Sequence, residues 1–306
     1  MMGNREERSE FNSLYQWFAP QVSTAADAIR WACVLEATAP KVGNVSPGRN
    51  FPDLSHLDFI RAADIAAEAL EEKNCFAKAI LDATVKTSEA CRSNVNLGIL
   101  LLLGPLYRAD ELLSERGVTL PDQDDWSSAV KDALKDLDAV GELAIFEAIS
   151  VAAAGGLGRA EKWDVNESHQ KVDLIEAMRL AANKDRIARQ YVEDFSDLLV
   201  NVVPVLRQSI LECRDWLRGI GHAQIRLMSR ESDSLIARKN GKDVAEAVRD
   251  RVHGVDLGNI QDWVSLDREL RKQGNQLNPG TTADLIAAGL FVLLRSMPES
   301  RNWQER

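Results

Sequence analysis

Glu36 stands where a carboxylate is least at home. It follows Ile29 by seven residues and Cys33 by three, in a run (Val22, Ala25, Ala26, Ile29, Ala32, Cys33) whose spacings mark one apolar helix face. It also falls near the C-terminal end of that helix, where the dipole disfavours negative charge. Either a cation or ligand answers it, or the helix end frays and Glu36 faces water. The next segment, Ala39 to Asp53, holds three prolines and two glycines and excludes a helix. It brings Lys41 within reach, and His56 and Asp58 come soon after.

Four other groups could carry chemistry. Asp138 and Glu142 are four apart on a segment that is apolar on most sides, a spacing that can hold one divalent cation or form an exposed acidic stripe. Gly155-Gly156-Leu157-Gly158-Arg159 follows a helical pattern rather than a strand, so it is neither a dinucleotide fingerprint nor a P-loop. A glycine helix stop explains most of it, although Arg159 could meet a phosphate and Trp163 a base. Asn183-Lys184-Asp185-Arg186, with Arg189, interrupts an amphipathic run, and Lys184 is in phase with Leu180, Ala181 and Ala188. Asn278-Pro279-Gly280-Thr281-Thr282-Ala283-Asp284 opens an apolar helix. There Thr281 and Asp284 have capping-box spacing, and a free helix N-terminus would also suit phosphate. None of the histidines, His56, His169, His222 and His253, forms a metal-ligand pair.

The elements that must position these residues are helical. Leu206, Ile210, Cys213, Leu217 and Ile220 repeat at helical spacing, as do Leu180, Ala181, Ala188, Tyr191, Phe195 and Leu198. Strand alternation of useful length is absent. The expected fold is all-α, a compact bundle of roughly ten to twelve helices. Residues 1–20 read as an N-terminal extension and 21–306 as a single helical catalytic domain. The apolar run from Leu97 to Leu106 is about half a membrane span and reads as a buried helix. Of the 306 residues, 45% are hydrophobic, enough for a sizeable core, and the formal charge is −10. That charge argues against nucleic acid and anionic membranes as partners. The four dispersed cysteines fit a reducing compartment, and Met1 to Arg8 has no apolar stretch, so a cytoplasmic location is expected.

Three segments in order carry a family likeness: Glu36-Ala37-Thr38-Ala39-Pro40-Lys41-Val42-Gly43, with His56, Asp58 and Phe59 after it; Asn94-Val95-Asn96-Leu97-Gly98-Ile99-Leu100-Leu101; and Asn275-Gln276-Leu277-Asn278-Pro279-Gly280-Thr281-Thr282-Ala283-Asp284-Leu285. Together they make the sequence resemble the triphosphoribosyl-dephospho-CoA synthase family. The resemblance implies ATP as substrate, transfer of its triphosphoribosyl group to dephospho-CoA, and release of adenine. It implies Glu36 or Asp58 as the base. Lys41, Arg159, Lys184, Arg186 and Arg189 would bind phosphate, and Asn94, Asn96 and Asn278 would orient ribose. Gly280, Thr281 and Asp284 would complete the substrate site, and Asp138, Glu142 and Asp164 would hold Mg²⁺.

Between these segments the chain departs from the family. A T-H-G and R-G-E region is replaced by Gly155-Gly156-Leu157-Gly158-Arg159-Ala160-Glu161-Lys162-Trp163-Asp164-Val165. This looks like a separate branch found with methanopterin-type C1 carriers, which leaves a related ribosyl-phosphate transfer open. A helical nucleotide-binding protein without catalysis is the third reading. Small-molecule substrates are the expected partners, and a homo-oligomer is compatible with all three.

Overall fold

A computed structural model describes residues 21–72, 75–91, 95–154 and 173–297, with Leu14 and Gln16. These contain α1 (Ala25–Thr38), α2 (His56–Glu72), α3 (Phe76–Cys91), α4 (Leu97–Glu115), α5 (Gln123–Lys135), α6 (Ala139–Ala154) and α7 (Leu174–Ala181). After these come α8 (Arg186–Val192), α9 (Val203–Cys213), α10 (Trp216–Arg230), α11 (Ser234–Asn240), α12 (Lys242–His253), α13 (Ile260–Leu270) and α14 (Gly280–Arg295). The all-α expectation holds. Among the described residues the helices number fourteen, with no strand, slightly more than expected. No helix among them is long and apolar enough to cross a membrane.

Two of the extra helices arise where the fold divides an apolar stripe that is continuous in sequence. The stripe from Leu206 to Ile220 is cut at Arg214, which is left-handed at φ 52°, and Asp215 caps the next helix by accepting from Arg218 N. The stripe from Leu180 to Leu198 is cut by a turn over 182–184. Asp185 then accepts from Ile187 N and Ala188 N and starts α8. Leu180 is 66% exposed and Lys184 is exposed with it, so Lys184 is not on an inner face. In both cases an Asp competed for the backbone N–H groups, and local capping won over periodicity.

The last helix is the axis of the fold. From Thr281 to Arg295 every residue of α14 except Asp284 is buried, and the helix packs against α1, α4, α9 and α10. Gly289 permits the approach of α9, since a Cβ there would lie 2.6 Å from Leu206 Cδ1. At its end, Arg295 and Asp110 of α4 form a buried ion pair at 3.0 Å. Pro105 within α4 cannot donate to the carbonyl of Leu101. The Tyr191 hydroxyl of α8 donates there instead at 2.7 Å, so the helix continues and α8 is tied to it.

A second, smaller apolar cluster lies under the loop that follows α1. Val42 packs there with Ile225 and Met228 of α10, Val252 of α12, and Leu266 and Leu270 of α13. The loop itself is closed by two tight bridges, Ser46 with Arg49 and Phe51 with Leu54. Gly43 (φ 68°) has no room for a side chain, because a Cβ would meet Leu270 at 2.9 Å and Pro279 at 3.1 Å.

Candidate active site

Of the two alternatives for Glu36, the position on the buried apolar face holds: 3% of it is exposed. Its answer is Lys41, only 1% exposed, whose Nζ lies 2.9 Å from Glu36 Oε1 and also donates to the Glu36 carbonyl. Lys41 thus serves an internal pair at the helix end rather than standing free for phosphate. The loop that delivers it is locked by buried amides. Val42 N donates to Gln224 Oε1 at 2.8 Å, Gln224 Nε2 donates to Asn44 Oδ1 at 2.6 Å, and Asn44 Nδ2 donates to Asn278 Oδ1 at 2.5 Å. Asn278 is therefore a strut between the α1 loop and the start of α14.

Glu36 shares a cavity of about 10 Å³ with Cys33, Phe59, Ala62, Ala63, Asn96 and Ile99. Asn96 is 5% exposed; its Nδ2 donates to the Ala62 carbonyl at 3.4 Å, while its Oδ1 has no partner among the described residues. An unmatched buried amide oxygen beside a carboxylate is a costly arrangement that a ligand hydroxyl would relieve.

Asp284 completes the group. It sits against Gly98 in the first turn of α4, where an added Cβ would come within 2.1 Å of its Oδ2. Loss of hydration, and then the charges of Glu36, Asp233 and Asp185, push its carboxyl well above the usual range, with Arg238 opposing. Burial and the same two carboxylates, Glu36 and Asp284, push the Cys33 thiol far up, so it stays protonated and inert. His56, whose Nε2 is 3.4 Å from Thr38 Oγ1, is shifted down by burial and by Lys41 against the pull of Glu36.

The starts of α4, α8, α11 and α14 converge on Asp284. A Cβ at Gly98 would also meet Ile187 of α8 at 2.8 Å. Arg186 N donates to Ser234 Oγ, and Ser234 Oγ donates to Thr281 Oγ1 at 3.0 Å. The capping box expected from Thr281 and Asp284 does not form, because the helix starts at Gly280 after Pro279, which makes no side-chain cap. Asp233 supplies the cap from α11 instead, accepting from Thr282 N at 2.7 Å and Thr282 Oγ1 at 2.8 Å. The α14 N-terminus is thus met by a protein carboxylate, not left free for phosphate at Thr282. Asp233 was not legible as part of the site: its sequence signal is that of an ordinary cap for α11, where it accepts from Leu235 N and Ile236 N.

The remaining candidates fall elsewhere. Asp58 Oδ2 accepts from Ser55 N at 2.9 Å and Ser55 Oγ at 2.6 Å at the start of α2, which gives it a capping role. Arg186 donates from Nε and Nη2 to the two oxygens of Asp197, at 2.8 and 3.1 Å, both side chains 8% exposed. Burial opposes ionisation of Asp197, yet the bonds and charge of Arg186, with Asn201 and Gln190, hold its carboxyl well below the usual range. Arg189 donates to both oxygens of Glu231 at 2.8 Å. These arginines hold protein carboxylates rather than open phosphate positions.

Asp138 is exposed and accepts from Gly141 N at 2.8 Å, capping α6, which packs on α3 and α4. It thus has a structural role of its own at the start of α6. Among the described residues no group of three His, Cys, Asp or Glu is placed to hold a metal ion. Asn94, Arg159 and Asp164 lie outside the described residues, as do the glycine segment and Trp163.

Comparison with known proteins agrees with this architecture. The chain aligns over 80% of its length, at 23% identity and a TM-score of 0.60, with the whole of a crystal structure from Archaeoglobus fulgidus, of a protein proposed to be a triphosphoribosyl-dephospho-CoA synthase. No curated protein matches. The family model for ATP:dephospho-CoA triphosphoribosyl transferase matches residues 22–303. That span takes in all three ordered motifs and each of the converging helix starts, and the chain belongs to the ATP:dephospho-CoA triphosphoribosyl transferase family.

Proposed function

We propose that this transferase moves the triphosphoribosyl group of ATP to a hydroxyl of dephospho-CoA at the site formed by Glu36, Asn96 and Asp284. A new bond forms from the acceptor oxygen to C1′ of the ribose, and the C1′–N9 bond breaks. The bonding pair leaves with adenine, which takes up a proton, and the hydroxyl proton passes to a base.

The observation that carries the reading is the pair of carboxyl groups in unequal surroundings: Glu36 with its own cation, and Asp284 crowded by other carboxylates. A buried carboxyl raised above its usual range can serve as an acid beside a second carboxylate that serves as the base. Glu36 is the base in this account. Asp284, which keeps its proton to higher pH, is the donor to the departing adenine. Negative charge at Glu36 also favours an oxocarbenium-like ribose. Asn96 Oδ1, unpartnered beside Glu36, is placed to accept from a ribose hydroxyl. Asn278, Gly280 and Thr281 act at one remove, by fixing the start of α14 that presents Asp284.

Asp138 caps α6, and among the described residues no third His, Cys, Asp or Glu joins it and Glu142 around a metal position. Mg²⁺ keeps much of its water and binds readily through nucleotide phosphates, so it enters here as part of the ATP complex. The test is product analysis. Incubation with ATP, Mg²⁺ and dephospho-CoA should yield free adenine in equal amount to an acceptor heavier by one triphosphoribosyl group. Adenine without a modified acceptor, or neither product, would overturn the reading.

A further inference from the structure

One open groove lies apart from the carboxylate site. It has a volume of about 490 Å³ and is lined by Arg49, Val264, Asp267, Arg268, Arg271 and Lys272. Four of these six residues are cationic and one is anionic, in a chain whose overall formal charge is −10. Val264, Arg268, Arg271 and Lys272 follow one another at spacings of four, three and one, so α13 and the turn after it present them along one wall. Arg49 comes across from the α1 loop.

Two of the four cations are held rigid. Asp267 bridges them, 2.7 Å from Arg49 Nη1 and 2.9 Å from Arg271 Nε, and it also accepts from Gly43 N at 2.9 Å. Arg271 donates to the Asn44 carbonyl, and its guanidinium lies 4.7 Å from the centre of the Phe51 ring. Arg268 and Lys272 are exposed and make no ion pair among the described residues. Basic groups at the end of α13 complement its dipole, but that accounts neither for Arg49, brought from another segment, nor for the concave shape. A concave surface with a net excess of positive charge attracts polyanions.

We propose that this groove binds the phosphate chain of a substrate, with Arg49 and Arg271 as the fixed contacts and Arg268 and Lys272 as the adaptable ones. The loop that forms one wall begins at the Glu36–Lys41 pair and is bonded through Asn44 to Asn278, so the groove and the carboxylate site share one rigid support. Both substrates of the transferase reading, on which the choice of ligand rests, carry such a chain: the triphosphate of ATP and the diphosphate of dephospho-CoA.

The experiment is calorimetric titration of the wild type and an Arg268→Ala/Lys272→Ala variant with inorganic tripolyphosphate, ATP, dephospho-CoA and adenosine. Both side chains are exposed, and circular dichroism checks that the variant folds. Tripolyphosphate should bind the wild type, more weakly as salt rises, and bind the variant about 10- to 100-fold more weakly. A matching loss for ATP assigns the groove to the donor, and one for dephospho-CoA assigns it to the acceptor. Adenosine binding should not change. No tripolyphosphate binding by the wild type, equal affinity in the variant, or an equal loss for adenosine would overturn the proposal. The tripolyphosphate arm reads binding even if no transfer occurs, so failure of the groove and failure of the transferase reading give different results.

Discussion

Asp284 is held against the backbone of Gly98, so close that a methyl group on Gly98 would stand 2.1 Å from Asp284 Oδ2. No side chain but hydrogen fits there while the carboxylate keeps its place. Gly98→Ala should therefore displace Asp284 without touching either substrate itself. The expected result is a fall in kcat of about 10²-fold, the scale of a misplaced catalytic group, with the helix content unchanged by circular dichroism. A Gly98→Ala enzyme with wild-type kcat would show that the position of Asp284 does not matter to turnover.

Asp284 also makes a prediction about pH. Its carboxyl is raised in the folded state by burial and by Glu36, Asp233 and Asp185. The folded state therefore holds that proton more tightly than the unfolded chain. The resulting contribution to stability is present below the unfolded carboxylate range and is lost as pH rises through the raised value. Asp284→Asn removes a charge that burial disfavours, so it should raise Tm more at pH 8 than at pH 5 while lowering turnover. Thermal melts of both proteins at the two pH values check this. A variant less stable at pH 8 than the wild type would contradict the stated surroundings of Asp284.

Arg186 and Asp58 separate structural from chemical roles. Arg186→Ala removes the bidentate partner of the buried Asp197, leaving it the longer 3.3 Å contact with Arg189, and should cost about 3 kcal/mol of stability. Asp58→Ala removes a helix cap and should cost about 1 kcal/mol, with kcat within a few-fold of the wild type. Denaturant unfolding beside steady-state rates distinguishes the two. A large loss of kcat in a stable Asp58→Ala protein would return Asp58 to the position of base.

Much of this was legible in the residue pattern, for reasons that differ by element. Glu36 could be placed on a buried face because α1 is regular and its period runs unbroken to Thr38. The loop over Ala39 to Asp53 announced itself by its prolines and glycines. What periodicity could not show was where an Asp would stop a helix, at Asp185 and Asp215, since an apolar stripe can run across a capped break. Nor could it reveal partners far apart in sequence. Lys41 was readable as a cation near Glu36. That Arg186 is matched to Asp197, that Asp233 caps α14, and that Arg49 meets α13 depend on packing between segments. Charged residues that looked available for phosphate were thus absorbed by ion pairs, while the open cations Arg268 and Lys272 had no motif to mark them.

The most direct measurement is release of adenine from ATP, followed by chromatography with Mg²⁺ and dephospho-CoA present, for the wild type and Glu36→Gln. The account predicts adenine in step with acceptor modification for the wild type. It predicts a kcat lowered by about 10²–10⁴-fold for Glu36→Gln, with ATP binding by calorimetry nearly unchanged. A wild-type enzyme that releases adenine and a Glu36→Gln enzyme that releases it equally fast would contradict the assignment of Glu36 as the base at the centre of the site.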